Sequence, residues 1–489
     1  MKRLISLLLL LSLGLSAASC SQSSDKTSDD TSAPTADAAQ APETEAPIVY
    51  PVDACDYEGA SFNVLAPKWG MYDKYFFADG QNGETVNDAI YEREQFVEDH
   101  LGIAYSYKLD GTIADIRPTL QASVMAGDDP YQLVLTHCMK DIGTMVTGNL
   151  LYNWKKLPGV NLDAEYWNRS SNENHTVAGK QFYAISDYMI TDPCAVLFNT
   201  GMIKDFGLDN PYDLVRSGKW TLDTMIGMAQ KVTGDLDGSG VMDINDRYGI
   251  SSGDNWTWSS FLYSSDISMV KIADDGSMKL TLNNDKTVSL IEKLHTLING
   301  SDDIFIYSYK ETADKQLRID SGRVLFHIEA LNAMDQYRET EVEYGIIPLP
   351  KFDEEQDEYH SLDWSGLMCI PLTVKDPGMV GKTCEMLAYI SGDTTIPAYY
   401  DKLLGNKLAR DADSQEMLNV IFDNIVYDAG MSYFGLDWTS GFQSLFYTIS
   451  NLVVAKQSAD FASFYASNAD KAQAAIDAFY EAVSDDKIG

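Results

Sequence analysis

The chain has 489 residues, more than one ordinary hydrophobic core accommodates, so two or more lobes are expected. Apolar residues make up 45% and charged residues 22%, which is globular usage and excludes a wholly disordered or fibrous chain. The formal charge of −37 excludes nucleic acid and anionic membrane surfaces as partners, because phosphates would be repelled. Six cysteines lie far apart with no CxxC pair, so neither a zinc cage nor a disulfide scaffold is indicated.

Lys2 and Arg3 precede the apolar run Leu4–Leu15, then small residues and Cys20. A basic end, a short apolar core and small residues make an export signal. The run is too short to stay in a bilayer as a spanning helix. Its end, Leu15-Ser16-Ala17-Ala18-Ser19-Cys20, resembles a bacterial lipobox, with Ala17 where Leu is more usual. That resemblance implies a signal peptide over 1–19 and lipidation of Cys20. Ser21–Pro47 contains no aromatic residue, Leu, Ile or Val, and such a composition buries too little surface to fold. It reads as a tether spanning roughly 30 Å. Residues 20–57 thus carry the lipid anchor and hold the body clear of the membrane.

Ser61–Ala66 reads as a strand, Thr85–His100 as a helix, Ile103–Lys108 as a strand, Ile113–Met125 as a helix with Pro118 in its first turn, and Tyr131–Leu135 as a third strand. Strands alternating with helices imply a mostly parallel sheet flanked by helices. Ligands bind such sheets beyond the carboxyl ends of the strands. Trp69, in the loop after the first strand, and His137, in the loop after the third, are therefore cleft candidates; each could equally be packed under a loop. Further on, QFYAISDYMITDPCAVLFN (Gln181–Asn199) holds two apolar runs separated by Ser186–Asp187, and Pro193 bars one continuous central strand. The stretch is either two core strands of one sheet or a crossing between lobes. In the second case Asp187 and Tyr188 stand at the mouth of a cleft.

At this point the order of segments carries a resemblance. DPYQLVLTHCMKDIG, LLYNWKKLPG and GKQFYAISDYMITDPCAVLFNTGMIKDFGL together resemble the extracellular solute-binding proteins (family 1, maltose-binding-protein-like) of bacterial ABC importers, lipoprotein type. The likeness spans most of Ala60–Gly489. It implies an α/β, two-lobed periplasmic-binding-protein-like fold of type II, with hinge crossings between the lobes.

Thr221–Val232 reads as a helix capped by Thr221. After Gly234 comes DLDGSGVMDIND. Asp235, Asp237, Ser239, Asp243 and Asp246 supply side-chain oxygens at the spacing of a calcium loop, the Val241 carbonyl supplies another, and Gly240 permits the sharp turn. Asp246 replaces the usual Glu at the last position, which shortens its reach. One structural calcium is expected, pinning the loop between the helix and the strand Tyr248–Ser251; an acidic solvated turn is the alternative.

Asn255–Tyr263 is the richest aromatic run. Read as extended, it puts Trp256 and Trp258 on one face. Tryptophan planes beside Asn, Asp and Ser suit the apolar faces and hydroxyls of a sugar. Val288–Ile298 and Thr312–Ser321 read as helices and Gly322–Glu329 as a strand. The resemblance implies that this strand ends at the ligand, making Glu329 an acceptor. It also implies a cleft edge at Asp363–Gly366, with Trp364, before the strand Leu367–Pro371. Trp438, in a loop before a later helix, completes the wall. Gly381-Lys382-Thr383 is not a phosphate loop, because Asp376 stands where that motif needs Gly. No GxSxG, HExxH or Cys–His signature is present.

The expected organisation is a first lobe over 58–188, a second over 189–350, a return to the first over 351–395, and C-terminal helices over 396–489 mainly on the second. The expected function is capture of a carbohydrate, an oligosaccharide, by a monomeric, lipid-anchored, extracytoplasmic receptor that delivers it to the transmembrane subunits of an ABC permease. A secreted carbohydrate-active enzyme and a non-transport surface lipoprotein are the alternatives.

Overall fold

The alternating strands and helices near the start close into a sheet in the computed structural model, which describes residues 49–489 apart from 255, 338, 365, 406–411 and 437–439. The export signal, Cys20 and most of the tether lie outside the described residues, as does Trp438. Strands β1 (Ala60–Ala66), β2 (Ile103–Leu109) and β3 (Leu133–His137) are parallel, with β1 between the other two. Helix α1 (Thr85–Leu101) links β1 to β2 and buries Val86, Ile90, Val97 and Leu101 along one face. Gly102 ends it in the left-handed region, which a residue without Cβ adopts at no steric cost. Helix α2 (Ile116–Ala126) links β2 to β3.

The second sheet contains β4 (Cys194–Asn199), β5 (Tyr248–Gly253), β6 (Ile304–Tyr307), β7 (Val324–Ala330) and β8 (Tyr344–Ile347), in the order β8-β4-β7-β5-β6. β7, β5 and β6 are parallel, and β4 runs against both of its neighbours. β4 and β7 are buried along their whole length, which is why both read as near-continuous apolar runs. The chain then returns, and β9 (Gly366–Cys369) pairs antiparallel with β3 to complete the order β9-β3-β1-β2.

Gln181–Asn199 is the crossing rather than two strands of one sheet. Ala184 bridges Met368 of the first sheet, whereas Cys194 onward belongs to the second. Pro193, lacking an N–H, sits at the boundary and bridges Asp363 on the return path. A short parallel pair, Ser361–Leu362 with Ile425–Val426, completes the hinge.

Several segments differ from their reading. The return begins near Asp363 and not at 351: Lys351 bridges Thr221, and the Gln356 amide donates to the Ser264 carbonyl at 2.9 Å, so this segment stays with the second sheet. Thr312–Ser321 forms two short 3-10 turns, Ala313–Lys315 and Ile319–Ser321, and not a helix. Asn255–Tyr263 is not extended; Trp256–Ser264 is helix α4. The last helix, Phe461–Ser484, packs on Ile142–Thr147 of the first body and on the hairpin Val270–Ile272/Met278–Leu280, and not mainly on the second sheet. One large apolar core runs through both bodies by way of the crossings, with a small second cluster at Tyr248, Leu317 and Val324. Cys55, Cys138, Cys194, Cys369 and Cys384 are free thiols.

Candidate functional site

The carboxyl ends of β5, β6 and β7 lie side by side, and the crossing segments run past them. Trp256 opens α4 just after β5. Tyr309 follows β6, and its ring stacks on Trp256 with centroids 6.0 Å apart and planes at 16°. Trp364, on the return crossing, meets Trp256 edge-to-face at 4.9 Å and Phe446 at 5.6 Å. Gly253 makes the arrangement possible, since a Cβ there would run into the Tyr309 ring. Glu329 sits near the end of β7 and is 6% exposed; the Tyr309 hydroxyl approaches its Oε1 at 3.5 Å and pairs with Thr257 Oγ1 at 2.9 Å. Trp364 Nε1 and the Tyr307 hydroxyl are buried without a well-aligned partner among the described residues, with Cys194 beside the first and Glu329 and Tyr309 beside the second.

Acids dominate the electrostatics. Burial pushes Glu329 up to about 7, with the Ala330 amide opposing the shift. Burial pushes Asp192 up to about 8, reinforced by the charges of Asp363 and Glu329 and opposed by Asn332. Asp192 is tied in from both sides. Its amide donates to Asp363 Oδ1 at 2.7 Å, and its carboxylate accepts from the Asn332 amide at 2.9 Å and side chain at 2.5 Å. Tyr427 donates to Asp363 Oδ2 at 3.1 Å. Carboxyls near neutrality flanked by aromatic planes accept hydrogen bonds from hydroxyl groups and cover apolar faces.

The structure brings together Trp256, Trp364 and Glu329. Trp69 and His137 meet at the ends of β1 and β3, with rings 5.0 Å apart and edge-on. His137 opposes Gly366, two residues past Trp364, so this pair borders the same return strand. Trp69 is 44% exposed; His137 is buried and held neutral, its pKa lowered to about 4 by desolvation. The remaining candidates lie elsewhere. Tyr188 turns into the first body, where its hydroxyl pairs with that of Tyr105 at 3.0 Å and the Arg93 guanidinium lies over its ring at 4.6 Å. Asp187 faces Gly392 near the end of helix Pro377–Asp393. Trp258 is fully buried against Phe261, because residues two apart on a helix point in different directions. Sequence reading missed Tyr309, Tyr307 and Asp192. The alternation in IFIYSY and the bare Gly253 were the available signals for the two tyrosines.

These rings pack on one another, and two open cavities lie elsewhere. One of about 340 Å³ is lined by Tyr263, His360, Val426 and Asp428, and a surface groove of about 570 Å³ beside it by Lys286 and the acids Asp353–Glu358. Neither includes Trp256, Tyr309 or Trp364.

The aspartate-rich loop folds tightly between helix α3 (Leu222–Val232) and β5. Asp235, Asp237 and Asp246 bring carboxylate oxygens within 4.8 Å of one another. Asp235 accepts from the amides of Gly238 and Gly240, both at 2.7 Å, and these glycines have φ of 71° and 78°. Asp246 is fully buried and accepts from the Leu236 and Asp243 amides at 2.7 and 2.8 Å. Ser239 Oγ donates to the Val241 carbonyl at 3.0 Å, placing those two oxygens on the same turn. Asp243 binds its own turn through the Asn245 amide. An all-oxygen donor set of this kind fits a hard divalent cation.

No family model matches the sequence, and no curated protein matches it. Solved structures do. The galacto-N-biose-/lacto-N-biose I-binding protein of an ABC transporter from Bifidobacterium longum, in complex with lacto-N-biose, aligns over 87% of this chain and 98% of its own, at 14% identity and a TM-score of 0.59. This is a two-lobed type II solute-binding fold. A cyclo/maltodextrin-binding protein complexed with maltotetraose shares the solute-binding fold at 15% identity and a TM-score of 0.54, over 87% of this chain and 97% of that one. The maltose-binding periplasmic protein from Listeria monocytogenes, in complex with maltose, shares it at 13% and 0.52, over 87% and 97%. Among the described residues, no helix of this solute-binding fold is long and apolar enough to cross a membrane.

Proposed function

We propose that the protein is the substrate-binding component of an ABC importer, which captures an oligosaccharide between its lobes and delivers it to a membrane permease. The observation that carries this reading is the convergence of Trp256, Tyr309, Trp364 and Glu329 from both bodies beside the crossings. The sugar complexes of proteins with the same fold support it. Aromatic planes take sugar C–H faces, Glu329 accepts hydrogen bonds from sugar hydroxyls, and Trp364 Nε1 donates to a ring or hydroxyl oxygen. Closure then excludes water around the bound sugar. The role is binding without bond cleavage. Lipidation of Cys20 holds the body outside the cytoplasm, and one calcium stiffens the loop through Asp235, Asp237 and Asp246, joined by Ser239, Asp243 and the Val241 carbonyl.

A thermal-shift screen of mono- and oligosaccharides tests the reading. A ligand that binds only the folded state raises stability by about 2.7 kcal/mol at a concentration 100 times its Kd. At least one neutral saccharide is expected to raise the melting temperature of the wild type and not of Trp256→Ala. A full screen without a shift would overturn the sugar assignment.

A further inference from the structure

Close to the crossing residue Asp192, a three-residue contact ties the bodies together. Tyr75, in the turn Tyr72–Tyr75, and Lys402, on helix Thr395–Gly405, both belong to the first body, where that helix packs on α1. Asp335 lies on the 3-10 segment Leu331–Tyr337, which extends β7 and is fixed to the second sheet by the Tyr337 hydroxyl against His327 Nε2 at 3.0 Å. Tyr75 donates to Asp335 Oδ2 at 3.0 Å, and Lys402 Nζ lies 3.3 Å from the same oxygen. Lys402 Nζ also donates to the Tyr75 hydroxyl at 3.1 Å and sits 4.6 Å from the centre of its ring. The Lys402 and Asp335 side chains are 12% and 31% exposed.

We propose that Tyr75, Lys402 and Asp335 are positioning residues that latch the second body onto the first and so set ligand affinity without touching the ligand. The two contacts to Asp335 join the bodies, whereas the contact of Lys402 with Tyr75 lies within the first and pre-sets both donors. A single exposed ion pair is worth little, but this one is part-buried, shares one carboxylate oxygen with a hydroxyl, and lies against an aromatic face. Five residues separate Asp335 from Glu329, and Asn332 between them grips Asp192 of the crossing. The segment after β7 therefore carries the hinge contact and the latch on one short support. When only the closed form binds tightly, the apparent Kd is the intrinsic Kd divided by the closed fraction. Loss of the latch lowers that fraction and leaves the selectivity among ligands unchanged.

The effect on affinity rests on the binding-protein reading; the effect on shape does not. Small-angle scattering of the ligand-free protein is therefore the first measurement. Asp335→Asn and Lys402→Met are expected to have a larger radius of gyration than wild type, and Lys402→Arg to stay close to wild type. Tyr75→Phe, which removes only a hydroxyl, gives a smaller change in the same direction and guards against misfolding of the charge variants. Titration with maltotetraose and lacto-N-biose follows. Whichever binds is expected to bind the Met and Asn variants roughly fivefold or more weakly, the lower end of coupling between separate sites, by the same factor for both sugars. Superimposable scattering curves for wild type and Asp335→Asn, or an Arg variant as expanded as the Met variant, would overturn the latch whether or not any sugar binds.

Discussion

Trp364 and Glu329 divide the recognition work by chemistry: one offers an apolar plane with a single N–H, the other an acceptor held near its titration point. Trp364→Ala removes the plane that touches Trp256 and Phe446. Truncation of such a central aromatic costs about 2 kcal/mol or more in binding, so titration calorimetry is expected to show at least a roughly 30-fold loss of affinity. The acids make a separate statement about pH. Burial raises Glu94 to about 7, Asp187 to about 7, Asp192 to about 8, Glu329 to about 7 and Asp428 to about 6. Each holds its proton in the folded state at a pH where the unfolded chain has lost it. Between about pH 4 and 8 these five groups bind more protons in the folded form and lower stability as pH rises, whereas His137, His175 and His327, held neutral by burial with pKa values lowered to about 4, 4 and 3, oppose them below about pH 6.5. The melting temperature is expected to decline from about pH 6.5 to pH 8, where the histidines no longer titrate, with a shallower slope for Glu329→Gln; a rise over that interval would contradict the burial of these acids. At this scale the sequence was a fair guide to residue type and a poor one to direction. Trp256 and Glu329 reach the cluster, but Trp258 and Tyr188, equally aromatic, face cores.

Elements were legible where periodicity or capping spoke clearly. Thr85–Leu101 and Leu222–Val232 follow their apolar stripes, and the Thr224 amide donates to Thr221 Oγ1 at 3.2 Å as the cap required. NWTWSS was misleading because alternating tryptophans mimic a strand, whereas Trp256–Ser264 is a helix buried nearly all round and so has little amphipathic signature. In the aspartate loop the carboxylates of Asp235, Asp237 and Asp246 converge, held by backbone amides and glycine geometry, while Asp243 accepts from the Asn245 amide. If the loop holds calcium, EDTA lowers the melting temperature while sugar binding persists, because none of the loop's acids lies among the cluster residues. Asp246→Asn, which removes the buried charge of the donor set, is expected to melt lower and to lose its response to EDTA. An unchanged melting curve for wild type on chelation would remove the cation from the account.

For the whole molecule, the two-sheet arrangement was legible from segment order, because Pro193 and the Ser-Asp break mark the first crossing in the sequence itself. The site of the return was not, since the pairing of Pro193 with Asp363 spans a long stretch of chain and leaves no local signature. That return has a consequence for synthesis. Every strand of the second sheet is made between Cys194 and Ile347, whereas the first sheet waits for Gly366–Cys369 to cover β3. As the chain emerges from the ribosome or the export channel, the strands of the later-made sheet can all pair while the earlier sheet still carries a bare edge. A chaperone that shields open strand edges would find its target in the older half of the nascent protein.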